Sequence, residues 1–167
     1  AQVKPQGGPA GMDKGKNAGG SADAGVPPFT LSADVGWVID GQAYTYPLKI
    51  TEPRHTVVVR MPKDPEQVRF DPLTKTLHKL EFNPGDDKLR RQLTAAPDVI
   101  GRILAGKELV KTGKRANVRA VADAWAAEPF WGVRVEWAQA LGEAGVEPAI
   151  EALADLVARE QDPMVLA

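Results

Sequence analysis

From Phe29 onward, apolar and polar positions alternate. Phe29, Leu31, Ala33, Val35, Trp37 and Ile39 share one side, and Thr30, Ser32 and Asp34 share the other. A period of two predicts a half-buried β-strand. Asp40-Gly41 follows, a dipeptide suited to the positive φ angles of a tight hairpin. The predicted return strand runs over 42–51, with Tyr44, Tyr46, Leu48 and Ile50 in phase and Pro47 marking an edge or a bulge. Further strands are expected over 55–61, at Val68-Arg69-Phe70 before Asp71-Pro72, and over 77–82. Such an antiparallel meander has one apolar face, and a single sheet of this kind is marginal without a second layer. A β-sandwich-like domain over 28–84 is therefore expected.

After Asn83-Pro84-Gly85 the period becomes helical, with a short helix predicted over 86–93 and an internal repeat behind it. Pro97–Glu128 superimposes on Pro129–Glu160 without a gap. Pro97 matches Pro129, Arg102 matches Arg134, Leu109 matches Leu141, and Gly113 matches Gly145. Ala120, Ala122, Asp123 and Ala126 match Ala152, Ala154, Asp155 and Ala158, while Val118/Ile150, Val121/Leu153 and Trp125/Val157 agree in kind. Each unit reads as a proline in the first turn of one helix, a glycine closing it, and a second helix. Two helices per period of about 32 residues predict an α-solenoid of HEAT-like pairs over 85–167. A third unit starts at Asp162-Pro163, and the chain stops within its first turn. The expectation is an α+β chain in two segments that forms part of a longer polypeptide.

Composition changes this picture mainly by exclusion. Residues 1–27 hold seven of the sixteen glycines and no aromatic residue, and read as a flexible linker or inserted loop; a basic tether through Lys14 and Lys16 is the alternative. The 167 residues carry 21 Lys and Arg against 22 Asp and Glu, which argues against a nucleic-acid partner. No run of 18 apolar residues suggests a membrane span, and the first residues lack the basic-then-apolar order of a signal peptide. The compartment is left open, with the cytoplasm as the default.

Candidate chemistry is sparse. No cysteine is present, and His55 and His78 have no metal-ligand spacing. Ser21 and Ser32 sit in no nucleophile elbow, and the glycine pairs fit no phosphate-binding loop. Asp86-Asp87 and Asp64/Glu66 fall at a helix start and a turn, where carboxylates serve local structure. No catalytic residue, metal ligand or cofactor is therefore assigned to this chain. Trp125 and Trp137 are expected in the core. Trp131, in a first helical turn beside Phe130, is the aromatic contact candidate. Arg119, Asp123, Glu151 and Asp155 lie off the core stripe of the second helices, which usually line the binding face of a solenoid. Arg102 and Arg134 recur at one repeat position, and a hydrogen-bond ladder between units would explain that.

The run FTLSADVGWVIDGQAYTYPLKI, then VVVRMPKDPEQVRFDP, LHKLEF and LRRQLTAAPDVIGRILAGKEL, resembles the C-terminal half of M1-family zinc aminopeptidases. The likeness is greatest to the bacterial branch related to a transcription-initiation factor subunit, and it covers roughly residues 26–167. VRFDP, APDVIGRI and PFWGVR carry it most specifically. The resemblance implies a β-sandwich bridging a catalytic domain to HEAT-like helices that cover the peptide cleft. The family's zinc-binding HExxH helix, third Glu ligand, GxMEN loop and transition-state Tyr belong to an upstream domain and have no counterpart here. Zinc is expected in that domain, and the implied partners are the domain itself and peptide substrates. The alternative function is an M1-like scaffold for protein–protein interaction without peptidase activity.

Overall fold

The computed structural model describes residues 30–52, 54–76 and 79–167. The Gly-rich stretch 1–27 and His78 lie outside the described residues. Three strands, β1 (Leu31–Ile39), β2 (Gln42–Ile50) and β3 (Gln67–Phe70), form an open antiparallel sheet in the order β2-β1-β3. Six helices follow: α1 (Asp86–Ala95), α2 (Val99–Lys111), α3 (Arg115–Trp125), α4 (Trp131–Glu143), α5 (Glu147–Val157) and α6 (Pro163–Leu166). The chain is thus α+β, with strands first and helices after.

The hairpin forms as its sequence dictates. Ile39 pairs with Gln42, and both turn residues, Asp40 and Gly41, have positive φ (52° and 71°). Pro47 sits on β2, the edge strand, where a missing N–H costs no ladder bond on the outer side. Trp37 stacks on Tyr44 at a centroid distance of 5.9 Å. Gly36 points to the opposite face, and a Cβ there would stand 2.9 Å from the Pro72 ring. The 71–76 loop therefore covers that face, with Thr76 donating its hydroxyl to Ser32 O at 3.0 Å.

The sheet departs from the five expected strands. Among the described residues, neither 55–61 nor 79–82 joins a ladder, and no second sheet is present. Alternation reports which side chains face a surface, but a strand also needs a free edge to pair with. Both edges of β1 are occupied by β2 and β3, and the outer edges of β2 and β3 pair with no further strand among the described residues. Val57 and Val58 are accordingly exposed.

The hydrophobic core lies in the helices. Leu89, Leu93, Leu109, Val110, Val121, Val133, Trp137 and Leu141 cluster there, with Trp125 at the margin, so both expected core tryptophans are buried. Gly113 (φ 68°) and Gly145 (φ 64°) close α2 and α4 at repeat-equivalent positions. The prolines differ from expectation. Pro97 and Pro129 precede the N-cap residues Asp98 and Phe130, outside the first turn. Pro97 holds Ala96 extended (ψ 126°), which stops α1. Proline occupies a first turn in α5 and α6 instead.

An ion pair joins the sheet to the helices. Arg69 on β3 grips Asp98 through both guanidinium nitrogens (2.6 and 3.0 Å), and Asp98 also accepts from Gly101 N at 2.7 Å to cap α2.

Candidate functional site

Helices α3 and α5 are the second helices of the two repeat units and lie side by side. Between them runs an open groove of about 1090 Å³. Val118 and Ala122 of α3 and Ala152 and Leu156 of α5 supply apolar lining. The small alanines follow from the shared repeat pattern and keep this space from filling. Pro148 stands at the end formed by the helix N-termini, and Trp125, Arg134 and Glu160 stand at the other.

Four of the five residues singled out in the sequence meet here. Arg119 and Asp123 line the α3 side, and Glu151 and Asp155 line the α5 side. Arg119 and Asp123 approach to 3.7 Å along one exposed helical turn. Glu151 reaches across to Arg115 at 3.2 Å. Arg159 donates its Nε to the Asp155 carbonyl at 2.9 Å. These exposed pairs are weak in water and can be traded for contacts to a ligand. Trp131 is not part of the groove. It lies at the start of α4, partly exposed, tilted against Phe130 at a centroid distance of 5.5 Å.

The closed end is built differently. Glu160 accepts from the Trp125 indole at 2.9 Å and from Arg134 Nε at 3.1 Å, as well as from the backbone N–H groups of Gln161 and Asp162. The Asp162 N–H is foremost in holding the Glu160 carboxyl below the usual carboxylate range; burial opposes it, and the indole, the Gln161 N–H and Arg134 add to it. A carboxylate fixed as an anion is a poor proton donor at neutral pH. The groove lining contains no hydroxyl, thiol or imidazole. What the arrangement offers is contact: an aliphatic floor between rims of both charges.

Arg134 and its repeat partner Arg102 form the expected ladder. Arg102 donates to Ala96 O (3.1 Å) and to both carboxylate oxygens of Glu128 (2.7 and 3.1 Å). Arg134, one unit later, donates to Glu128 O (2.7 Å), Glu160 and Asp162 (3.0 Å). The acceptors Glu128 and Glu160 are the last residues of the two units, a signal present in the repeat alignment but not drawn from it. The Arg69–Asp98 joint had no local signal, because its partners are 29 residues apart.

Among the described residues, no group of three His, Cys, Asp or Glu side chains could hold a metal ion. His55 is exposed. Among the described residues, no helix is long and apolar enough to cross a membrane. Comparison with known proteins finds no matching family model, curated protein or solved structure.

Proposed function

We propose that this chain is a non-catalytic part of an M1-type metallo-aminopeptidase, in which a β layer of sandwich type leads into HEAT-like helix pairs that cover the peptide cleft. The observation that carries this reading is the α3/α5 groove, where Arg119, Asp123, Glu151 and Asp155 converge over an aliphatic floor. Such a surface positions and sequesters a peptide without making or breaking bonds. In this reading zinc belongs to an upstream catalytic domain, the partners are that domain and peptide substrates, and neither nucleic acid nor membrane is engaged.

A second reading, an M1-like scaffold without peptidase activity, draws on a different feature. Phe130 and Trp131 form an exposed aromatic pair outside the groove, of the kind that anchors protein interfaces. Two measurements separate the readings. The purified chain, supplied with zinc and aminoacyl-anilides, is expected to show no turnover, and zinc-dependent hydrolysis overturns both. Binding of labelled unstructured peptides is expected to weaken in an Asp123→Lys/Asp155→Lys variant and to survive Trp131→Ala. The reverse result favours the scaffold.

A further inference from the structure

A second surface, on the outer side of α5, follows from the repeat. The stripe of α3 made by Val118, Val121 and Trp125 is covered, with Val118 2% and Trp125 6% exposed. The matching stripe of α5 is Ile150, Leu153 and Val157, and there Ile150 is 55% and Val157 44% exposed. None of these α5 residues lines the groove. The same apolar pattern is thus covered in one unit and half bare in the next, where Leu153 packs inward against the helical core and Ile150 and Val157 stand out.

The charges beside the two stripes say what kind of helix fits. Along α3 the flank carries Arg115, Arg119 and Asp123; at the same positions α5 carries Glu147, Glu151 and Asp155. Inside the molecule the basic flank of α3 meets the acidic flank of α5, with Arg115 on Glu151 at 3.2 Å. Glu151 and Asp155 line the groove and Glu151 is held by Arg115, so the charge left beside the outer stripe is Glu147, at the repeat position where α3 carries Arg115; the helix that covers α5 must meet that anion with a cation. A second copy is a poor occupant. Its α3 stripe is already covered, and its α5 would set an acidic flank against an acidic flank.

We infer that the outer stripe of α5 (exposed Ile150 and Val157 beside the partly buried Leu153, flanked by Glu147) is a docking surface for an amphipathic helix whose apolar stripe is bordered by Lys or Arg. It occupies a different face from the groove and stands or falls independently of the peptidase reading. The arrangement is helix packing with the flank charge selecting the partner.

The test uses the whole chain and two labelled helix-forming peptides with the same leucine stripe, one flanked by Lys and Arg and the other by Glu and Asp. Fluorescence anisotropy at low salt should show the cationic peptide binding about tenfold tighter or better. Glu147→Lys should erase that preference. Ile150→Ser with Val157→Ser should abolish binding without moving the thermal midpoint, since both side chains are exposed, and Asp123→Lys in the groove should leave binding unchanged. Equal binding of both peptides overturns the inference. So does undiminished binding by the serine variant, or sedimentation showing that the chain pairs with itself through Ile150 and Val157.

Discussion

Gly106 shows how a neighbour reverses the meaning of a residue. A glycine inside a helix ordinarily costs about 1 kcal/mol relative to alanine. Here a Cβ would lie 2.2 Å from Trp137 Nε1, which donates to Arg102 O at 3.1 Å across the α2/α4 contact. Gly106→Ala must displace a fully buried indole, so it is expected to destabilise by about 1–3 kcal/mol. Chemical denaturation followed by tryptophan fluorescence measures this, and a gain in stability would refute it. The sequence shows Gly106 only as a weak point in a helical pattern. The reason for it is 31 positions away and appears only when α2 and α4 pack. Trp125 and Trp137, in contrast, were legible as core residues, because helical spacing places them on the apolar stripe.

Between elements, the arginine ladder ties the start of each unit to its own last residue, and Arg134 also reaches back to Glu128 O of the unit before. Arg102 and Glu128 are both largely buried, and removing one partner strands the other's charge in the interior. Glu128→Ala is expected to cost about 3–5 kcal/mol, whereas Arg102→Met with Glu128→Leu should recover most of that loss. A double-mutant cycle on unfolding free energies checks the coupling. The recurrence of Arg102 at Arg134 made the ladder visible in outline. Its acceptors were harder to see, because a carboxylate at the end of a unit looks the same whether it faces solvent or folds back. The missing strands over 55–61 and 79–82 have a related cause. Alternation is a property of one segment, while a ladder is a property of two.

Across the whole molecule, the helical cluster holds most of the buried apolar surface, and the sheet is tied to it through Arg69 and Asp98. Burial pushes the Asp98 carboxyl up, but the Arg69 hydrogen bond, the Gly101 N–H and the Arg69 charge together leave it below the usual range. Glu160 is lowered as well, first by the Asp162 N–H. Both groups therefore bind protons more weakly folded than unfolded. The stability they contribute is complete above the ordinary carboxylate value of about 4 and is lost as pH falls through it toward the lower folded values. The thermal midpoint should stay level from neutral pH to about 5 and drop below about 4. Asp98→Asn should shrink that drop and lower the midpoint at neutral pH. In the same variant, amide exchange should quicken in β1 and β3 more than in α2 and α4, because the sheet contributes nothing to the helical cluster.

Periodicity along the chain determined the order of strands before helices, the Asp40-Gly41 hairpin and the two helical units with their closing glycines, and Pro47 narrowed its strand to an edge or a bulge. Each of these depends on residues near one another, where backbone preference and side-chain spacing act directly. Packing alone decided the rest: that the sheet stops at three strands, that Gly106 admits Trp137, that Asp98 anchors the sheet, and that Arg119, Asp123, Glu151 and Asp155 border one groove while Trp131 stands apart. Those outcomes turn on which surfaces meet across 26 to 35 residues of sequence, and contact at that range is set by the helices stacking in three dimensions.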